Sequence, residues 1–434
     1  MNLVRVMLEE TSKGLRNGAL DLQTYITNTC KRMRQVEPIV HALVPEKNYE
    51  TRLFHEADRL TRTYPIDDFR PGLFGVLVGI KDLYHVDGFP THAGSNFPST
   101  VLNGNQSSLV SKILELGAII LGKTAMDEFA YAAPSPTRNP YNVMHTPGGS
   151  SSGSAAAVAT GISPLCIGTQ TSRSVIAPAS FCGIVGFKPT YGRVPLDGIV
   201  FMSHSLDTAG FFTQDVEGMR IASNLLVPDW TASNRSKRPV LGIPEGTYMT
   251  YMSEEMNETF YQQVNNLKQW GYAVQSVEMP WDNANAIDDI YTTAMTLLHG
   301  EMYRIHERWF VEHKSLYRGV TIQGIELGKQ VTDQELDSCK SSQHTLRRDI
   351  NEWMDEYGID VWISPSQGAT APKGDFPTGW GGMTTPWSLA GMPCVSLPAG
   401  TLNSLPYGIQ AIARCNDDES LILWAAELEA ALQS

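Results

Sequence analysis

The first stretch that could do chemistry is TPGGSSSGSAAAVATG, Thr146 to Gly161, where glycine and serine crowd together before an alanine-rich run. Residues Gly149 to Gly153 match the pattern G-x-S-x-G, in which Ser151 would be the nucleophile of an α/β-hydrolase. Such a nucleophile directly follows a strand and needs a later acid and histidine. The preceding RNPYNVMH is a polar loop, and four of the five downstream histidines lie in a helical segment. The context therefore disfavours Ser151 as the nucleophile.

A second pattern, GAIILGKT from Gly117 to Thr124, matches the phosphate-binding loop G-x-x-x-x-G-K-T letter for letter. That loop needs an open run of backbone N–H groups between its glycines. The four apolar residues from Ala118 to Leu121 instead predict a strand whose N–H groups are used in a sheet. We therefore expect no phosphate site, and we place Lys123 at the end of that strand.

Histidine and cysteine show no spacing typical of metal ligands. The stretch HGEMYRIHE, His299 to Glu307, lacks the H-E-x-x-H arrangement. The six cysteines form no C-x-x-C pair, and a chain of 434 residues does not need disulfides to fold. The sequence therefore predicts neither a metal nor a cofactor, and most cysteines are expected to be small buried hydrophobes.

A longer arrangement accounts for the serines without any histidine. The stretch GGSSSGSAAAVATGISPLCIGTQTSRSVIAPASFCGIVGFKPTYGRV closely resembles the signature of the amidase signature family of serine hydrolases. Similar blocks occur upstream in GLFGVLVGIKDLYHVDGFPTHAGS and LGAIILGKTAMDEFA, and downstream in SHSLDTAGFFTQDVEG, WSLAGMPCVSLPAG and PYGIQAIA. The resemblance extends from about residue 10 to the end of the chain, so it is far more specific than one short motif.

The resemblance implies a Ser-Ser-Lys triad. Lys81 matches the catalytic lysine, Ser150 matches the relay serine, and Ser174 matches the nucleophile that carries the acyl group. In the family, a cis peptide bond precedes the relay serine. An apolar strand around Lys81 would disfavour its charged form and lower its pKa, so that the amine could take a proton near neutral pH.

The resemblance also implies an oxyanion hole made of the backbone N–H groups of Thr171, Ser172, Arg173 and Ser174. Most members of the family carry Gly-Gly or Ala-Gly directly before the nucleophile, where this chain has Ser172 and Arg173. Many also carry an arginine two or three residues after the nucleophile, where this chain has isoleucine and alanine. Arg173 could supply the missing positive charge, or the chain could be an impaired or repurposed member of the family.

The segment DEFAYAAPS, Asp127 to Ser135, resembles the family's loop that lines the acyl pocket. A small or flat apolar group would fit beside Ala130, Tyr131, Ala132 and Gly149, although Tyr131 could equally be a packed core residue. The implied activity is hydrolysis of an amide, anilide, carbamate or urea through an acyl-enzyme, with ester cleavage as a further option. One alternative is the glutaminase subunit of a tRNA-dependent amidotransferase, and another is a catalytically silent binding protein.

Continuous apolar runs predict the strands that must position these residues. These runs are GVLVGIK, AIIL, PLCIG, PVLGI, DVWIS, PCVSLP and GIQAIA. Segments of helix length lie between them. The pattern predicts an α/β fold whose mixed sheet is covered by helices on both faces.

The chain divides by composition into a helical start and a long remainder. We expect residues 1–70 to form an N-terminal helical layer and residues 71–434 to form the catalytic domain. Residues from about 285 to 357 are amphipathic and rich in Glu, Arg and Trp. This insertion is expected to be helical, and it either caps a substrate pocket or forms a plain outer layer.

The charge balance bears on possible partners. The chain has 33 Lys and Arg against 46 Asp and Glu, a net charge of −13, and no long basic run, so direct nucleic-acid binding is not expected. The start of the chain lacks an apolar leader, and the apolar run GLFGVLVGI is too short to cross a bilayer. We expect a cytoplasmic monomer or homodimer that acts on a small amide or carbamate.

Overall fold

A mixed β-sheet of ten strands forms the centre of the computed structural model, which describes residues 2–235, 237–279, 281, 284–374 and 381–433. In chain order the strands are β1 (Leu77–Lys81), β2 (Ile119–Thr124), β3 (Leu165–Gln170), β4 (Val185–Lys188), β5 (Thr208–Thr213), β6 (Leu241–Glu245), β7 (Val274–Glu278), β8 (Val361–Pro365), β9 (Cys394–Leu402) and β10 (Leu405–Ile412). Their order across the sheet is β2-β1-β3-β5-β4-β9-β10-β8-β6-β7.

Parallel pairs lie toward the two ends of this sheet and antiparallel pairs lie in its middle. Strand β1 is parallel to β2 and β3, and β6 is parallel to β7 and β8. Strands β5, β4, β9 and β10 join the two ends through antiparallel pairs. All seven predicted runs are strands, and the mixed sheet is confirmed.

The apolar runs do not predict β4, β5 or β7. Strand β4 has only four residues, and β5 contains a glycine and two threonines. Strand β7 lies at the edge of the sheet, where most of its side chains reach solvent. A short or half-exposed strand of this kind lacks the continuous apolar run that marks a buried strand.

Helices cover both faces of the sheet. In chain order they are α1 (Leu8–Arg16), α2 (Leu22–Val40), α3 (Tyr49–Thr63), α4 (Ser108–Glu115), α5 (Ser152–Ala159), α6 (Ile176–Cys182), α7 (Val216–Leu226), α8 (Glu254–Gln269), α9 (Ala284–His313), α10 (Gly319–Gly328), α11 (Asp333–Glu356), α12 (Thr385–Leu389) and α13 (Asp418–Leu432). The segment predicted to be helical from about residue 285 to 357 contains α9, α10 and α11. The domain boundaries stay a prediction, since one continuous apolar core joins the N-terminal helices to the sheet. Within the described ranges, no helix combines the length and apolar character needed to cross a bilayer.

Helix α5 follows the serine-rich stretch and packs against β1, β2 and β3, with every residue buried. Its Gly153 lies against two other segments of backbone. A Cβ at this position would be 2.2 Å from the carbonyl oxygen of Ala42 and 2.5 Å from the backbone nitrogen of Ala125. Because both neighbours are main chain, neither can rotate away.

Replacing Gly153 with alanine should therefore destabilise the protein by about 2 kcal/mol, because overpacking outweighs the better helix propensity of alanine. Urea unfolding followed by circular dichroism measures the change. The control is Gly319→Ala at the start of α10, where an added Cβ meets nothing within 4 Å. Equal unfolding midpoints for the two variants would contradict the packing that we describe.

A partly buried carboxyl pair lies where α13 meets the start of α7. The side chain of Asp215 caps α7 by accepting the N–H of Gly218 at 2.8 Å, and Glu429 accepts the N–H of Val216 at 3.1 Å. Burial, with a smaller contribution from the charge of Asp215, raises the pKa of Glu429 to about 7, although the hydrogen bond from the N–H of Val216 opposes this shift. The folded state therefore binds a proton at Glu429 more tightly than the unfolded chain does.

Wild-type stability should consequently fall as pH rises from about 4.5, the ordinary glutamate value, through about 7. The variant Glu429→Gln lacks this titration, so it should be more stable than wild type at pH 8 and lose that advantage below pH 4.5. Thermal unfolding across this pH range measures the difference. Glu427→Gln, an exposed position on the same helix, is the control for the substitution itself. A pH-independent effect of Glu429→Gln would contradict the raised pKa.

Candidate active site

Two neighbouring parallel strands bring the predicted lysine and the predicted oxyanion loop to the same edge of the sheet. Strands β1 and β3 pair in register, with Ile80 opposite Ile167. Lys81 is the last residue of β1, and residues 171–175 form the loop that leaves β3. Because the carboxyl ends of parallel strands meet at one edge, this topology places the loop beside Lys81.

Lys81 is fully buried and contacts the predicted relay serine. Its Nζ lies 2.8 Å from Ser150 Oγ and 2.9 Å from Thr169 Oγ1, and it is 3.3 Å from the carbonyl oxygen of Thr169. Burial lowers the pKa of Lys81 to about 7, although the charges of Asp127 and Asp207 oppose the shift. The amine therefore loses its proton near neutral pH and can then accept one from Ser150.

Ser150 follows a cis peptide bond from Gly149, as the resemblance predicts. Its side chain is buried, and its carbonyl oxygen accepts the N–H of Asp127 at 3.2 Å. A Cβ at Gly149 would be 2.2 Å from Asp127 Oδ2. Gly149, predicted to line the pocket, therefore lies directly against a buried carboxylate that the sequence did not single out.

Ser174 lies in the loop between β3 and α6 and keeps 6% of its surface exposed. Its hydroxyl makes no hydrogen bond within the described part of the chain. A bond from Ser174 to Ser150, which a proton relay requires, is therefore not formed in this structure. Catalytic hydrogen bonds often tighten only when substrate is bound.

The loop around Ser174 is fixed by Gln170, the last residue of β3. Gln170 Oε1 accepts the N–H of Val175 at 2.8 Å and that of Ile176 at 3.0 Å, while its Nε2 donates to Ser388 Oγ at 2.9 Å. Ser388 Oγ in turn donates to the carbonyl oxygen of Ser172 at 2.7 Å. One amide side chain thus holds both ends of the loop, a role that the sequence did not predict.

Three of the four predicted oxyanion donors have no backbone or side-chain acceptor among the described residues. The backbone N–H groups of Thr171, Ser172 and Ser174 donate to no protein acceptor among the residues that the structure describes.

The side chain of the fourth residue, Arg173, is half-buried. Burial lowers the pKa of Arg173, and the negative charge of Asp127 opposes that shift. The guanidinium thus lies in the field of the carboxylate that adjoins Gly149.

Tyr131 joins the predicted pocket loop to the helical segment. Ala130 is buried, while Tyr131 and Ala132 are half-buried. The Tyr131 hydroxyl lies 2.8 Å from Nε2 of His299 on α9, and its ring packs so closely against α10 that a Cβ at Gly324 would be 2.7 Å away. Helices α9 and α10 therefore contact the loop that the sequence assigns to the pocket, although the sequence analysis gave His299 no role there.

The competing motifs have structural explanations. Ser151 Oγ is buried and bonds the backbone of Thr169, with its hydroxyl 3.1 Å from the carbonyl oxygen. The stretch GAIILGKT contains strand β2, and Lys123 within it is buried and ion-paired with Asp82 Oδ1 at 3.1 Å. That ion pair is not predicted by the sequence. No group of three or more His, Cys, Asp or Glu side chains in the described ranges could hold a metal.

Comparison with known proteins adds an independent finding. The family model described as Amidase matches residues 24–422. One glutamyl-tRNA(Gln) amidotransferase subunit, from Oleidesulfovibrio alaskensis, is 30% identical over 97% of this chain and 96% of its own. The corresponding subunit from Fusobacterium nucleatum is 27% identical over 99% of this chain and 97% of its own.

Solved structures share the fold over almost the whole chain. A crystal structure of an amidase superposes with a TM-score of 0.89 at 27% identity, and the match covers 98% of this chain and 99% of that one. The peptide amidase of Stenotrophomonas maltophilia superposes with a TM-score of 0.83 at 24% identity, covering 99% of this chain and 97% of its own. The chain therefore belongs to the amidase family, the amidase signature hydrolases that cleave carbon–nitrogen bonds.

Proposed function

We propose that this protein hydrolyses an amide, anilide, carbamate or urea bond of a small molecule through an acyl-enzyme on Ser174. In this proposal Ser150 relays protons and Lys81 is the base. The observation that supports it most is the contact of 2.8 Å between Lys81 Nζ and Ser150 Oγ, made by a fully buried lysine whose pKa lies near 7. A neutral amine bonded to a serine hydroxyl is suited to accept a proton from it.

The proposed reaction has two halves. Ser174 Oγ attacks the carbonyl carbon while its proton passes through Ser150 to Lys81, and the carbonyl oxygen becomes an oxyanion held by the N–H groups of residues 171–174. Lys81 and Ser150 then return the proton to the departing nitrogen, which leaves an acyl ester on Ser174. Water hydrolyses that ester by the same relay. Loss of one oxyanion donor typically costs about 3 kcal/mol of transition-state stabilisation.

Arg173 is consistent with an active enzyme under this proposal. The side chain lies in the field of Asp127, while Gln170 and Ser388 hold the loop backbone without the glycines that most family members have. A silent binding protein would not need the Lys81–Ser150 contact or the lowered lysine pKa. Rapid labelling of Ser174 by a sulfonyl fluoride is the expected result, and failure of every such reagent would favour the silent alternative.

The test is a hydrolysis panel of amides, anilides, carbamates, ureas and esters with the purified protein. Each active substrate is then quenched during turnover, and mass spectrometry locates the acylated peptide. We expect at least one carbon–nitrogen class to be cleaved and the acyl group to be found on Ser174. An adduct on Ser151, or turnover of esters alone, would contradict the proposal.

A second candidate is the glutaminase subunit of a tRNA-dependent amidotransferase. The observation that favours it is the similarity to the glutamyl-tRNA(Gln) amidotransferase subunits of two bacteria, which extends over almost the full length of both chains. Such a subunit should be strictly glutamine-dependent and should need partner chains for activity. If the purified chain alone hydrolyses simple amides at full rate, this second function is excluded.

A further inference from the structure

The oxyanion loop is held from a second side by a buried carboxylate. Asp207 directly precedes β5 and is only 4% exposed. Its Oδ1 accepts the hydroxyl of Thr171, and its Oδ2 accepts the N–H groups of Met202 at 2.8 Å and Ser203 at 3.1 Å. Asp207 thus ties the first residue of the oxyanion loop to the segment 202–207.

That segment is in turn clamped by a residue of α9. Glu301 is 6% exposed, and its Oε2 accepts the hydroxyl of Ser203 at 2.6 Å and the N–H of Ser205 at 2.9 Å. Its Oε1 accepts the hydroxyl of Ser205 at 2.6 Å. Ser203 therefore bonds Glu301 through its side chain and Asp207 through its backbone, so that a continuous chain of buried contacts runs from α9 to Thr171.

Taking the proposed function as given, we infer that Glu301 is a positioning residue, which sets the oxyanion loop from α9 through Ser203, Asp207 and Thr171. A buried carboxylate is costly unless donors satisfy it, and here three donors from two nearby serines converge on it, with the Lys340 ammonium 3.6 Å from its Oε1. Displacing it would leave those donors unpaired and free the segment 202–207. His299, two residues earlier, reaches Tyr131, so α9 contacts both the pocket loop and the clamp on the oxyanion loop.

The first test is Glu301→Gln, which keeps the side-chain volume and removes the charge and one acceptor oxygen. Because a displaced oxyanion donor weakens binding of the transition state more than that of the substrate, kcat should fall about 10-fold while KM changes less than about 2-fold. The control is Glu307→Gln on the same helix, where Glu307 is exposed and accepts the Tyr303 hydroxyl at 3.0 Å. This control should keep the wild-type kcat.

A double-mutant cycle tests whether Glu301 acts on the loop through the bond between Asp207 and Thr171. Thr171→Val keeps the backbone N–H of the oxyanion hole but removes the hydroxyl that bonds Asp207. If Glu301 acts through that bond, Glu301→Gln should lower kcat little further in the Thr171→Val background. If the two substitutions lower kcat by independent factors that multiply, the inference is overturned. It is also overturned if Glu301→Gln lowers the unfolding temperature but leaves kcat per titrated active site unchanged. Should Glu301→Gln not fold, Ser203→Ala replaces it in the same cycle.

The activity of Ser174→Ala distinguishes a failure of the proposed function from a failure of the role inferred for Glu301. If Ser174→Ala hydrolyses substrate at the wild-type rate, the proposed function is wrong and this inference falls with it. If Ser174→Ala is inert and the effects of Glu301→Gln and Thr171→Val multiply, only the inference is wrong. Active sites are counted by titration with the sulfonyl fluoride that labels Ser174, so that a smaller folded fraction is not mistaken for a lower kcat.

Discussion

Replacing Ser174 with alanine should lower kcat by about four orders of magnitude or more, because in the proposed mechanism Ser174 carries the acyl group. The serine keeps some exposure, makes no hydrogen bond within the described residues, and lies in a loop whose backbone Gln170 supports. Its loss removes no hydrogen bond among the described residues, so the unfolding temperature should stay within a few degrees of wild type. Steady-state kinetics on the best substrate of the panel, with thermal unfolding alongside, measure both quantities.

The matched comparison is Ser151→Ala, since Ser151 is the serine that the G-x-S-x-G pattern would select. Its hydroxyl bonds the backbone of Thr169 in β3. We expect this variant to lose stability and to keep most of its kcat per folded molecule. An inert Ser151→Ala beside an active Ser174→Ala would reverse the assignment of the nucleophile.

The sequence predicts the parts of this fold that one segment determines by itself. Seven buried strands appear as continuous apolar runs, and Lys81 can be placed at a strand end because GVLVGIK ends there. The short β4 and the exposed edge strand β7 carry no such run. Their positions follow from partners elsewhere in the sheet, which a single sequence does not reveal.

The candidate site likewise combines features that one segment determines with features that depend on distant segments. The resemblance identifies Lys81, Ser150 and Ser174 from a sequence motif, whereas several contacts around the nucleophile loop and the predicted pocket loop join distant segments. Gln170 reaches Ser388, 218 residues later, and Tyr131 reaches His299, 168 residues later. No local pattern reports such pairs, since each depends on how the sheet and α9 pack.

Hydrogen bonds from other residues explain how the loop can depart from the family's sequence. Glycines before a nucleophile let the backbone turn freely, and this chain has Ser172 and Arg173 instead. The hydrogen bonds of Gln170 to Val175 and Ile176, and of Ser388 to Ser172, specify the path of the loop by contact. The loop therefore has a defined path although Ser172 and Arg173 carry side chains.

Replacing Lys81 with methionine should lower kcat/KM by about three orders of magnitude. It should also abolish the decline of kcat/KM at low pH. In wild type, kcat/KM should fall as pH drops below about 7, because Lys81 must be neutral to accept the proton from Ser150. The residual activity of Lys81→Met should lack that decline. Rates measured from pH 5 to 9 test both statements, and an unchanged decline in the variant would show that another group titrates.

The same substitution should raise stability at pH 7 while it lowers activity, so the two measurements separate the effect on catalysis from the effect on folding. The pKa of Lys81 is about 7 in the folded state against an ordinary value of 10.5, so the unfolded chain binds the proton more tightly between these values. Wild-type stability therefore rises with pH across that window, and Lys81→Met should be more stable than wild type at pH 7, with the difference shrinking toward pH 10.5. The contrasting variant is Lys123→Met, which leaves Asp82 buried without its cation and should cost about 3 to 5 kcal/mol. A stability difference between Lys81→Met and wild type that does not change between pH 7 and pH 10.5 would contradict the lowered pKa of Lys81.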